Sequence, residues 1–173
     1  MLSYKYSDDI KELTNIVDNA ELNQTSDVEV FMKAYLKLIW DYKMVGKISD
    51  YYVNDILVYR ENGDDLKGVK ALIQDTFAML AAFPDMKIIV EDVIVVPTED
   101  EKGFEVFSRR YLTGTNSGFS KYGPPTGKKL GKVCLNLSML TIRKVNGKWK
   151  IVDERCMHSI NWIKKTLTTD LVS

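Results

Sequence analysis

KVCLNLSMLTIRKVNGKWKIVDERCM, residues 132–157, alternates apolar and polar side chains on both sides of a single Asn146-Gly147 dipeptide. A period of two is the mark of a strand, whose successive side chains face opposite sides. Asn-Gly favours the positive φ angles of a two-residue turn, so this stretch predicts a long antiparallel hairpin. Upstream, MKIIVEDVIVV (86–96) and GFEVFSRRYLTGT (103–115) repeat the pattern. Between them and the hairpin lies NSGFSKYGPPTGKKLG (116–131), too long for a simple turn.

Before residue 86 the period changes. Phe31, Tyr35, Leu38, Ile39 and Tyr42 recur at the spacing of one helix face, behind a capping box at Ser26-Asp27-Val28-Glu29 and ahead of Gly46. Val69, Leu72, Ile73, Thr76, Phe77 and Leu80 predict a second helix, which Pro84 ends because proline has no N–H and restricts the residue before it. Between these helices an aromatic turn leads to a short apolar strand at 56–59. Residues 1–26 carry a weaker helical pattern (Ile10, Leu13, Ile16, Val17) and read as an appended helix before a domain spanning 27–173. INWIKKTL (160–167) reads as a closing turn or two of helix. Helices first and a meander of long strands after them predict an α+β fold, the helices covering one face of a curved antiparallel sheet.

The chain has 173 residues, the size of one domain able to bury roughly 70% of its extended surface. Its 24 basic and 24 acidic residues balance, which leaves no electrostatic footprint for nucleic acid. No apolar h-region follows a basic start, and no run of about 18 apolar residues occurs, so neither a signal peptide nor a membrane span is expected. A soluble cytoplasmic protein is the expectation. Cys134 and Cys156 are too few for a disulfide framework and lack metal-ligand spacing. A single histidine, His158, excludes a His-rich metal set.

In order, IWDYKMVGKISDYYVNDILVY (39–59), Gly68 opening a helix that runs into AAFPDMKIIVEDVI (81–94), GTNSG (114–118), GPPTGKKL (123–130) and the Asn-Gly hairpin resemble the SnoaL-like polyketide cyclases and ester cyclases. That family belongs to the nuclear transport factor 2-like (NTF2-like) superfamily. The resemblance runs over residues 28–168 and rests most on Phe83-Pro84-Asp85 and Pro124-Pro125-Thr126-Gly127. It implies a cone-shaped α+β barrel with an apolar pocket, a homodimer formed through the outer sheet face, and acid–base chemistry on a small hydrophobic molecule without metal or organic cofactor. It also implies a Trp, then four residues later an acid, near the end of the last strand. Those positions here hold Arg155 and Ser159.

The substitution of the acid leaves two functions open: a cofactor-independent cyclase or isomerase, and a non-catalytic binding or dimeric interaction module. Candidate proton-handling residues are Asp153 and His158, since a carboxylate or an imidazole can be tuned to transfer protons near neutral pH. Strict alternation places Asp153, Arg155, Met157 and Ser159 on one face and Glu154, Cys156 and His158 on the other. Asp153 and Arg155 can pair on the surface or share a ligand, and both readings stand. Candidate ligand-binding residues are Tyr35, Trp40, Tyr59, Arg109, Tyr111, Asn136 and Arg155, aromatic walls and polar groups of the kind that orient a ligand in an apolar pocket. Of Arg109 and Arg110, one is expected inside and one outside. Asn136 and Ser138 form a small polar face that either lines the pocket or meets solvent.

Overall fold

The computed structural model describes residues 2–131, 135–157 and 160–168. Helix α1 (Leu2–Asp18) lies along α2 (Thr25–Trp40), and a short α3 (Lys47–Tyr51) replaces the expected aromatic turn. Strands β1 (Leu57–Arg60) and β2 (Leu66–Lys67) lead into α4 (Val69–Ala82). Then come β3 (Lys87–Pro97), β4 (Gly103–Thr115), β5 (Lys129–Leu130), β6 (Leu135–Val145), β7 (Lys148–Met157) and α5 (Ile160–Thr168). Among the described residues the sheet has seven strands in the order β2-β1-β7-β6-β4-β3, with β5 on the end of β4. All its pairs are antiparallel except β1 with β7. Asn146 and Gly147 have φ of 52° and 76°, the turn their sequence predicts. Among the described residues, no helix is long and apolar enough to cross a membrane.

One sheet face is covered by helices. Val58, Ile88, Val106, Leu112, Leu140, Ile142 and Ile151 are buried there with Phe31, Leu38 and Met79 of the helices. The α2 stripe follows its predicted spacing, but its start differs. The helix begins a residue before Ser26, and the Asp27 carboxylate, not that of Glu29, accepts the backbone N–H groups of Asn23 and Gln24 at 3.1 Å each. Glu29 instead pairs with Lys33 one turn on, at 2.5 Å. In α4 the buried set is Leu72, Thr76, Met79, Leu80 and Ala82, while Phe77 is 55% exposed. The helix turns its core face one position away from Phe77 because Met79 and Ala82 take the deepest places. In α5, Ile163 and Leu167 are four apart and both buried, which explains why this short segment docks as a helix.

Two segments are tied to the exit of α4. Asp85, just past α4, accepts the Thr115 backbone N–H at 2.6 Å and its hydroxyl at 2.9 Å, tying the helix exit to the end of β4. Asn116 is 1% exposed and staples the Pro-Pro loop: its Nδ2 donates to Ala82 O at 3.2 Å, and its Oδ1 accepts the Thr126 N–H and hydroxyl at 2.9 Å each. Gly118 sits so close to the α4 C-terminus that a Cβ there would lie 1.8 Å from Ala81 O.

Candidate functional site

The decisive local event is in β7. Thr141 of β6 pairs with Asp153, but the next residue, Ile142, pairs with Ile151, so β7 bulges at Val152. A bulge inserts one residue and shifts the faces of everything after it. Ile151 points into the core, and so do Glu154 and Cys156, three and five residues later. Asp153, Arg155 and Met157 take the outer face.

Register then assembles an inner polar surface from four strands. Ser108, Ser138, Cys156 and Arg60 are successive cross-strand partners in one row, and Arg110 faces Asn136 in a neighbouring one. All six are at least nine-tenths buried. Ser108 and Ser138 share a hydrogen bond at 3.0 Å. Arg110 Nε donates to Asn136 Oδ1, its Nη2 reaches Cys156 Sγ at 3.8 Å, and the same Nη2 lies 3.9 Å from Glu154 Oε1. Tyr52, preceding β1, donates its hydroxyl to Glu154 Oε2 at 2.7 Å. Arg60 Nη2 bonds Asp75 Oδ2 of α4 at 3.0 Å, and Lys121 from the long loop holds the other oxygen of Asp75 at 2.5 Å. Buried polar groups are tolerated because they bond one another in this way.

Between this surface and α2 lies a cavity of about 40 Å³, lined by Tyr35, Tyr52, Arg60, Arg110, Thr76 and Glu154 on its polar side. Leu36, Ile39, Trp40, Ile48 and Leu72 form its apolar side. That volume holds roughly three water-sized groups. Burial, reinforced by the Glu154 charge, holds the hydroxyls of Tyr35 and Tyr52 well above the ordinary phenol range, so both stay neutral donors. Burial beside the same carboxylate pushes the Cys156 thiol up to about 12, which keeps it protonated and removes it as a nucleophile. Among the described residues, no group of His, Cys, Asp and Glu side chains is arranged to hold a metal ion.

Of the residues singled out in the sequence, Tyr35 and Trp40 line this cavity, and Asn136 braces Arg110 behind it. Tyr59, Asp153, Arg155, Arg109 and Tyr111 lie elsewhere, on the outer face. Tyr59 and Arg155 are cross-strand partners there, the guanidinium 5.2 Å from the ring, and Arg155 bonds Asp153 at 2.6 Å. Arg109 is outside with Glu91 at 3.2 Å and Asp92 at 2.5 Å, so Arg110 is the inner arginine of the pair. Tyr111, two residues on, shares the outer face with Ile89. His158, Ser159 and Cys134 fall outside the described residues. Glu154, Arg110, Arg60 and Tyr52 were not singled out. The signal available for them was the small polar stripe of Asn136 and Ser138 on β6, whose cross-strand partners are Arg110 and Ser108.

Other hollows are wider, and two of them show how they differ in character. A cleft of about 540 Å³ between the end of α1 and the β6–β7 turn is lined largely by charged groups such as Lys47 and Asp18, which pair at 2.6 Å. A shallow depression of about 320 Å³ on the outer face is bounded by Tyr59, Phe107, Leu137, Met139 and Met157. The cleft's charged groups pair near the surface and the depression is mainly apolar, whereas two arginines, a carboxylate and two phenols meet in the interior cavity, which makes it the better candidate despite its size.

No family model and no curated protein matches this sequence. Solved structures do. AclR from Streptomyces galilaeus, described as a candidate hydroxylase, superposes with a TM-score of 0.64 at 19% identity over 87% of this chain and 86% of that one. A candidate SnoaL-like polyketide cyclase from Jannaschia sp. CCS1 gives 0.59 at 13% identity over 79% and 90% of the two chains. An NTF2-like protein from Cytophaga hutchinsonii ATCC 33406 gives 0.57 at 12% identity over 78% and 98%.

The fold is NTF2-like.

The α+β class and the curled sheet expected from the sequence are therefore what the chain adopts, and SnoaL-like proteins are among its structural neighbours. At these identities the likeness is one of architecture. The NTF2-like fold supports many activities on one scaffold, so the chemistry has to be argued from the side chains in its interior.

Proposed function

We propose that this NTF2-like protein acts through its interior cavity on a small oxygen-bearing organic molecule, as a cofactor-independent cyclase or isomerase with Glu154 as the proton-transferring group. The observation that carries this reading is a buried carboxylate at the end of β7 beside an apolar wall, with a phenol, Tyr52, on one oxygen and a guanidinium, Arg110, near the other. A carboxylate so held can take a proton from a carbon next to a carbonyl, and the neutral Tyr35 hydroxyl, whose proton meets no acceptor among the described residues, can donate to the oxygen on which charge develops. The candidate polyketide cyclase among the neighbours agrees with this chemistry. A second reading, binding without turnover, is favoured by the cavity volume of about 40 Å³, which admits only part of a larger substrate.

Hydrogen–deuterium exchange at the α-carbons of cyclopentanone in D₂O, followed by NMR, separates the two. Catalysis predicts acceleration by the wild-type protein, a loss of about 100-fold or more in Glu154→Gln, and no change in Asp153→Asn on the outer face. If Asp153→Asn abolishes exchange and Glu154→Gln does not, the assignment of the site is wrong.

We further propose that the outer face pairs with a second copy of the chain. Ile94 (58% exposed), Met139 (54%), Val96 (48%) and Met157 (46%) form an apolar surface around Phe107, more than a lone soluble sheet ordinarily leaves open. Sedimentation is expected to give a dimer that Met139→Glu converts to a monomer. A monomeric wild type would contradict this.

A further inference from the structure

Resting on the reading of the cavity as a ligand site, we propose that it recognises the carboxylate of a small organic acid, held by Arg60 and Tyr35. Two atoms lead there. Arg60 Nη1 and Tyr35 Oη are both sealed from solvent and meet no hydrogen-bond partner among the described residues. Their residues are 9% and 2% exposed and line the same cavity. A buried donor without a partner is costly, and few native groups are left so. Guanidinium has no acceptor capacity, so whatever meets Nη1 must present an acceptor. Tyr35 is a neutral hydroxyl and donates in turn.

Charge narrows the acceptor to an anion. The lining carries two guanidinium groups, Arg60 and Arg110, against one carboxylate, Glu154. Asp75 does not cancel Arg60, because it is shared with Lys121 at 2.5 Å. Glu154 does not repel an incoming anion strongly, because Arg110 and Tyr52 already engage its two oxygens. The remaining positive charge is that of Arg60, whose free Nη1 is the side left for a ligand. A carboxylate offers two coplanar oxygens to two donors, and charge-assisted bonds to guanidinium are the stronger kind. Leu36, Ile39, Ile48 and Leu72 then face the hydrocarbon end, and a cavity of about 40 Å³, which the carboxylate alone nearly fills, admits a short chain only as these side chains shift.

Butyrate and butyramide test this, since they share shape and differ in charge. Each is titrated into the full-length wild-type protein and into Tyr35→Phe at neutral pH, with binding read from NMR shifts and from thermal melting, which any ligand of the folded state raises. Tyr35→Phe removes only an oxygen without a partner, so it is expected to fold. Butyrate should bind wild type about tenfold or more tightly than butyramide, and Tyr35→Phe should weaken butyrate about fivefold or more while leaving butyramide little changed. Equal binding of the two probes would overturn the carboxylate and leave the cavity as a ligand site for neutral molecules. Equal binding of butyrate to wild type and Tyr35→Phe would overturn the assignment to these residues. Binding of neither probe would overturn the inference outright, while cyclopentanone exchange dependent on Glu154 would still uphold the proposed function.

Discussion

Arg110→Met is expected to lower the unfolding free energy by about 3–5 kcal/mol, the usual consequence of leaving one member of a buried ion pair behind. The side chains of Arg110 and Glu154 are 6% and 7% exposed, so solvent cannot rescue the carboxylate. Methionine fills much the same volume, so the loss reports the missing charge and bonds rather than a cavity. Arg110 also supports Asn136 and touches Cys156, and both lose a partner with it. The double variant Arg110→Met/Glu154→Gln should recover a large part of the loss, because a neutral amide needs no counter-charge. Chemical denaturation of the three variants measures this as a coupling. A loss below about 1 kcal/mol in Arg110→Met would show that the pair behaves as if exposed.

Gly118→Ala is expected to cost about 2–3 kcal/mol and to lower Tm by roughly 5–10 °C. An added methyl would lie 1.8 Å from the Ala81 carbonyl oxygen, a backbone atom at the end of α4 that has nowhere to move. The loop must lift instead. In lifting it strains the Asn116 bond to Ala82 O and the contact of Lys121 with Asp75, which anchors Arg60. The consequence reaches the cavity, so butyrate affinity should fall along with Tm. A Tm within about 2 °C of wild type would mean that the loop has slack the structure does not show.

These two positions show how far the sequence could be read. Periodicity found every long element, and Asn146-Gly147 found its hairpin, because those signals depend only on local spacing. The helix face that places Tyr35 at the cavity was legible for the same reason, whereas Trp40 lies off that stripe and was named only as an aromatic wall. Which side of each strand faces inward was not. The usual guide puts apolar residues inside, yet β6 buries Asn136 and Ser138 and exposes Met139, and β4 buries Ser108 and Arg110. Such burial is stable only because Arg110, Asn136, Cys156, Glu154 and Tyr52 satisfy one another across four chain segments, and a linear pattern does not display partners. The bulge at Val152 adds a second reason: strict alternation from Ile151 carries Asp153 and Arg155 inward, and the extra residue substitutes Glu154 and Cys156. Tyr59, Asp153 and Arg155 do come together as neighbours, but on the face turned away from α2.

On the function proposed above, the interior cavity and not the outer sheet face receives the ligand. Methyl-labelled NMR spectra recorded with increasing butyrate test it most directly, because the two faces carry different methyl groups. Shifts are expected of Leu36, Ile39, Ile48 and Leu72, which line the cavity, with Leu137, Met139 and Met157 of the outer depression unmoved. Shifts confined to Leu137, Met139 and Met157 would contradict it and move the site to the surface beside Tyr59 and Arg155.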